Sequence, residues 1–121
     1  MASPPASSDS RPVYLRLRDD IAAAIIDGTY PEGEMLPSVR QLAARAGANP
    51  LTVAKAYQQF QSDGLIEVRR GVGMFVIGGA AELLRRSECR RFLREEWPQI
   101  RARMARLGVD LQALLTEDLP A

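Results

Sequence analysis

The chain has 121 residues, 46% hydrophobic and 26% charged, the balance of a globular domain or of a small domain with an appendage. With no His and with Cys89 as its single Cys, it excludes an internal disulfide, a Cys/His zinc site and any Ser-His or Cys-His nucleophile pair. Net charge is +1, with 8 basic against 8 acidic residues through Gly78 and 8 against 7 beyond it, so a nucleic-acid surface must rest on where charges sit.

Residues 1–11 are Ser-, Pro- and Ala-rich and read as a disordered tail. From Val13, the apolar positions Leu17, Ile21, Ala24 and Ile25 recur at helical spacing, and Asp27-Gly28 ends that helix with Gly28 as a left-handed cap. Tyr30 to Glu34 reads as a turn, because Pro31 and Gly33 fix its shape. Ser38 with Gln41 makes an S-x-x-Q capping box that opens a second helix, with Val39, Leu42, Ala43 and Ala46 as its apolar face. Gly47 permits a reversal. Asn49 then caps a third helix with Pro50 at its first position, where the missing N–H costs nothing. Val53, Ala56, Tyr57 and Phe60 form the buried stripe of that helix, and Gly64 closes it. Two short helices joined by a tight Gly turn, with polar and basic groups at their starts, are the build of a helix-turn-helix.

Leu65 to Arg69 and Met74 to Ile77 read as paired strands joined by Gly71-Val72-Gly73, with Arg69 and Arg70 near the tip. Gly78-Gly79 reads as a hinge or linker. Beyond it lies a long helical segment on which Leu93, Trp97, Ile100, Met104 and Leu107 are spaced 4, 3, 4 and 3, a heptad-like seam. Pro98 falls inside it and should kink or split the helix. Gly108 ends it, Asp110 caps a last short helix, and the end from Thr116 is expected to fray. Arg85, Arg86, Arg90, Arg91 and Arg94 interleave with Glu82, Glu88, Glu95 and Glu96. The spacings Glu82–Arg86 and Arg91–Glu95 predict a solvated, ion-paired face rather than a second nucleic-acid surface. The fold expected is mostly α with a small β-hairpin: a winged helix-turn-helix over 12–78 and a short helical dimerisation tail over 79–121.

The ordered series Pro12-Val13-Tyr14, Gly28 with Pro31-Glu32-Gly33, Leu36-Pro37-Ser38-Val39-Arg40-Gln41-Leu42-Ala43, Asn49-Pro50-Leu51-Thr52-Val53-Ala54-Lys55-Ala56-Tyr57 and Gly64-Leu65-Ile66 with Arg69-Arg70-Gly71 resembles the GntR superfamily of bacterial winged-helix regulators. The N-P-x-T-V-x-K-A-Y run and the short helical tail, with Arg106-Leu107-Gly108-Val109 to Leu114-Leu115, resemble its YtrA subfamily. Larger relatives carry a full effector domain where this chain has its tail. The resemblance implies DNA contact by Ser38 and Arg40 at the start of the second helix, by Asn49, Leu51, Thr52 and Lys55 on the third, and by Arg69, Arg70 and Gly71 on the wing. Physical chemistry supports these types. A guanidinium holds phosphate or a guanine edge bidentately, and Asn and Thr donate to phosphate at a helix start. Each also has a plainer reading: an ion pair for Arg40, a cap for Asn49, a solvated side chain for Lys55. Because adjacent strand residues face opposite ways, Arg70 is favoured over Arg69 for a minor groove. Leu51 departs from the polar residue often found there in the family. It offers no hydrogen bond and only an apolar contact, such as a thymine methyl.

The function expected is a sequence-specific, DNA-binding transcription repressor, a cytoplasmic bacterial homodimer on a palindromic operator. Its dimer interface is expected at Leu93, Trp97, Ile100, Met104 and Leu107. The alternative is a winged helix used as a protein-interaction module. No cofactor, metal, membrane partner or catalytic activity is expected, since no apolar run approaches a membrane span and no acid pair sits in an apolar setting. A small-molecule effector of unknown identity, at the dimer seam or near Trp97, remains an open partner.

Overall fold

A computed structural model describes residues 11–116. The expected tail over 1–11 lies outside them except for Arg11, whose guanidinium pairs with Asp19 at 2.7 Å. The end beyond Thr116 also lies outside. Helix α1 spans Val13–Asp27 and stops at Gly28, whose φ of 84° places it in the left-handed region that a helix cap demands. Leu17, Ile21 and Ile25 are buried as their spacing requires, with Ala22 rather than Ala24 completing the buried face. Helix α2 spans Val39–Ala46 and is opened by the predicted capping box. The Gln41 N–H donates to Ser38 Oγ at 3.1 Å, and the Ser38 N–H donates to Gln41 Oε1 at 2.9 Å. Its buried residues are Leu42 and Ala43, whereas Ala46 at its end is exposed. Helix α3 spans Pro50–Ser62, capped by Asn49, whose Oδ1 accepts the Leu51 N–H at 2.8 Å. Val53, Ala56, Tyr57 and Phe60 are buried together, which fixes the rotation of α3 about its axis. The Tyr57 hydroxyl donates to the Pro37 carbonyl at 2.8 Å, and burial pushes its pKa upward.

Strands β1 (Ile66–Arg69) and β2 (Gly73–Val76) pair antiparallel, with Ile66 opposite Val76 and Arg69 opposite Gly73. Gly71, at φ 78°, holds the third position of a turn closed by the Val72 N–H on the Arg69 carbonyl. The free edge of β2 is also paired, by a segment that the sequence presented as turn and connection. The Gly33 N–H donates to the Val76 carbonyl at 2.7 Å, the Val76 N–H to the Glu34 carbonyl at 3.1 Å, and the Leu36 N–H to the Met74 carbonyl at 2.7 Å. Residues 33–36 thus act as a third, irregular strand of the wing. Leu36 is buried in the common core with Leu65, Ile66 and Val76. Anchoring this segment sets where α2 begins.

Helix α4 spans Ala80–Arg91. Gly78-Gly79, read from sequence as a hinge, is a turn fastened from a distance. The Glu32 carboxylate accepts the Gly79 N–H at 2.9 Å and the Ala81 N–H at 3.0 Å, so a side chain from the α1–α2 connection caps α4. Those hydrogen bonds, from Gly79 and then Ala81, lower the Glu32 pKa from its ordinary value of 4.5. A carboxylate with a depressed pKa contributes stability above its unfolded pKa and loses it as pH falls through the folded one. Urea unfolding of Glu32→Gln against the parent should therefore show the parent more stable at neutral pH, with the gap closing below pH 4.5. A gap that persists unchanged at low pH would show that the charge is not what matters.

Ala80 and Leu84 are buried at 0% and 1% exposure within the winged-helix core, and the first compact unit accordingly runs to Arg85, past the Gly78 boundary read from sequence. Past it, a π turn spans Phe92–Glu96 and helix α5 spans Trp97–Leu107, with Pro98 in its first turn. Pro98 has no N–H for the Arg94 carbonyl, and its ring would collide with that carbonyl in an unbroken α-helix. The backbone widens instead, with the Trp97 N–H bonding back to the Phe92 carbonyl. Two sequence expectations change here. Leu93 lies within that turn, at an angle to Trp97 different from the α-helical one its spacing assumed. Arg91 pairs with Glu88 at 2.8 Å, three residues back, and not with the Glu95 that its spacing suggested. Glu82 pairs at 2.6 Å with Arg85, three residues along, where the sequence spacing had suggested Arg86, and the face of α4 is ion-paired as expected. Gly108 ends α5 and Asp110 caps helix α6 (Leu111–Leu115), its carboxylate accepting the Gln112 N–H at 3.0 Å.

Candidate nucleic-acid interface

The first turn of α3 is built to present its side chains outward. Val53 is fully buried while Leu51, two residues earlier, is 79% exposed. At 3.6 residues per turn two residues lie about 200° apart around the axis, so packing Val53 inward drives Leu51 outward. Lys55, one turn beyond Leu51 on the same face, is exposed, and Thr52 is half-buried. The Lys55 ammonium lies 4.7 Å from the centre of the Tyr14 ring on α1, a cation–π contact that holds the charge near α3 rather than leaving it to wander. Asn49 uses its carbonyl oxygen on the cap and keeps its amide N–H groups for an outside acceptor.

The wing meets the start of α2. Ser38, Val39 and Gln41 share a cavity of about 250 Å³ with Met35, Val72 and Gly73. A Cβ built on Gly73 would lie 2.5 Å from Met35 Sδ, so the wing turn packs against the residues leading into α2, and a larger residue there would have to displace the Met35 side chain. Ser38 and the wing turn, far apart in sequence, are thereby neighbours. Arg40 is exposed on the first turn of α2.

The two wing arginines differ. Arg69 pairs with Glu67 at 2.9 Å, and its guanidinium carbon lies 3.9 Å from the centre of the Phe75 ring. Phe75 is directly opposite Glu67 in the hairpin, and Glu67 and Arg69 share a strand face, so register alone brings the three together. Arg70 sits in the turn beyond this arrangement. Among the described residues, no carboxylate pairs with Arg40 or with Arg70. The sequence did not flag Glu67 and Phe75 as partners of Arg69, or Tyr14 as the partner of Lys55. The alternation of Glu67 and Arg69 was a visible signal for the first, whereas the second depends on how α1 crosses α3.

The description "Bacterial regulatory proteins, gntR family" matches residues 13–76, which is the segment from α1 through β2. The HTH-type transcriptional repressor YtrA of Bacillus subtilis is 32% identical over 105 residues, 87% of this chain and 80% of that protein. That alignment is longer than the matched segment and so reaches beyond the winged unit. The chain spans about half the length of other curated relatives, 55% of one and 54% of another. A transcriptional regulator from Oenococcus oeni has the same architecture at a TM-score of 0.69, with 31% identity, covering 96% of this chain and 98% of that one. The DNA-binding domain of AraR, solved in complex with its operator ORR3, superposes at a TM-score of 0.53 with 26% identity, covering 63% of this chain and 92% of that one. With its whole winged-helix segment matched and its likeness to YtrA running past it, the chain belongs to the gntR family of bacterial regulatory proteins.

Proposed function

We propose that this regulator is a cytoplasmic repressor that binds a palindromic operator as a homodimer. The first turn of α3 and Ser38 and Arg40 of α2 would face the major groove, and Arg70 with Gly71 the adjacent minor groove. The observation that carries this reading is the unpaired state of Arg40 and Arg70 among the described residues, beside an α3 start whose largest side chain faces solvent. The other basic side chains of this surface, Lys55 and Arg69, are held by Tyr14 and by Glu67 with Phe75. In this reading they supply field and shape more than direct readout.

Dimerisation through the tail is supported by what α5 lacks. No residue of α5 or α6 is buried, Ile100 and Leu107 are 41% and 63% exposed, and Trp97 and Met104 are half-buried. α5 continues from α4 through the π turn and carries its apolar stripe in water, a surface that calls for a partner. A second copy is the partner that would also double the DNA surface. A small-molecule effector bound near the tail would quench Trp97, the single Trp, and a panel of metabolites tests for one.

Fluorescence anisotropy on DNA from upstream of the gene, against scrambled DNA over a salt series, tests the proposal. Specific binding that weakens with salt is expected. Arg40→Ala should weaken it by roughly 1–3 kcal/mol for each half-site. Equal, weak affinity for both DNAs, indifferent to Arg40→Ala, would favour a protein-interaction module.

A further inference from the structure

Leu51 is the most exposed large hydrophobic side chain among the described residues, at 79%, and it sits where the proposed DNA face is most prominent. Its position is not an accident of a loose terminus. The Asn49 cap fixes the Leu51 N–H, Pro50 fixes the backbone before it, and Val53 locks the rotation of α3 in the core. The same arrangement leaves few polar readers on this turn. Pro50 has no donor, Thr52 is half-buried, and Asn49, its oxygen committed to the cap, keeps only its amide N–H donors. What this turn offers a major groove at its most exposed point is therefore an apolar knob. Along that groove the apolar feature of an unmodified base pair is the C5-methyl of thymine, the other edge groups being donors and acceptors.

We infer that Leu51 is a specificity-determining residue that reads the C5-methyl of one thymine in each operator half-site. The inference rests on the proposed operator binding and adds to it a base identity and the group recognised. Lys55, one turn along the same face, lies next to it, so the contacted A·T pair would adjoin the position nearest the Lys55 ammonium. Burying one methyl group against Leu51 corresponds to about fourfold in affinity per half-site, hence roughly 15-fold for a symmetric dimer.

The test replaces thymines one position at a time by deoxyuridine, symmetrically in both half-sites of the bound upstream duplex. That change deletes the methyl and keeps the pairing. Anisotropy is read for the parent protein and for Leu51→Ala, whose exposed site leaves the core untouched; thermal unfolding checks that it does. One position should show the loss for the parent. Leu51→Ala should bind the thymine duplex with a comparable loss and show no further loss on deoxyuridine at that position. If the parent binds the duplex specifically yet tolerates deoxyuridine everywhere, the inference is wrong while operator binding stands. It is also wrong if Leu51→Ala loses affinity equally on thymine and deoxyuridine duplexes. Absence of specific binding by the parent defeats the operator reading itself.

Discussion

Phe60→Ala is expected to destabilise the protein by about 3–5 kcal/mol, the usual loss when a buried ring is deleted and its cavity only partly collapses. Phe60 is 1% exposed, among the largest fully buried side chains, and belongs to the helix proposed to enter the DNA groove. Its ring also lies 5.9 Å beneath the Arg18 guanidinium of α1, so the substitution removes a contact between α1 and α3 as well as core volume. Small domains have total stabilities of about 5–15 kcal/mol, so this one change would consume a large share. Urea unfolding followed by circular dichroism gives the number. DNA affinity should fall in parallel at elevated temperature and recover on cooling, because the reading side chains are intact and only the population of folded α3 has changed. A loss below about 1 kcal/mol would mean that the core relaxes around the gap and that α3 is held mainly by its other buried residues.

Ile100→Asp combined with Leu107→Asp is expected to yield a folded monomer with greatly weakened operator binding. Both side chains are exposed on α5 and neither belongs to the buried core, so the winged-helix core keeps its packing, whereas two carboxylates on the stripe would have to be desolvated at a two-fold interface. Linking two binding modules raises apparent affinity by about 10²–10⁴-fold without any new contact, and splitting the dimer forfeits that gain. Sedimentation equilibrium should show the parent as a dimer and the variant as a monomer, with the α1–α3 core still unfolding cooperatively. A parent that is monomeric while bound tightly to its operator would defeat the tail-dimer proposal. So would a variant that stays dimeric.

The winged-helix segment was legible in the sequence because its signals are local. A capping box, a Pro at the first helical position and glycines where φ is positive are chosen by neighbours a few residues away. Ser38 with Gln41, Asn49 with Pro50, and Gly28 and Gly71 accordingly stand in the structure as the sequence placed them. The helical stripes of α1 and α3 were legible for a related reason. Burial on one face imposes a period, and the period survives whatever packs against it.

Other features depend on residues far apart in the chain, and no local pattern announces them. Residues 33–36 look like turn and connection because pairing is decided by the free edge of β2, some forty positions away. Gly78-Gly79 looks like a hinge until Glu32 reaches across to cap α4, and Leu84 looks like part of a tail until the core closes over it. The heptad-like seam shows the limit from the other side. Its spacing assumed one helical pitch, and Pro98 changed that pitch ahead of Trp97. By itself, then, the sequence determined which segments are helices, where they start and stop, and which family the chain resembles, since caps, periods and motifs act over a few residues. Only the tertiary structure decided which charges near α2, α3 and the wing are held and which are unpaired among the described residues. An arginine's availability is set by the carboxylate or ring that folding brings to it, not by its place in the chain.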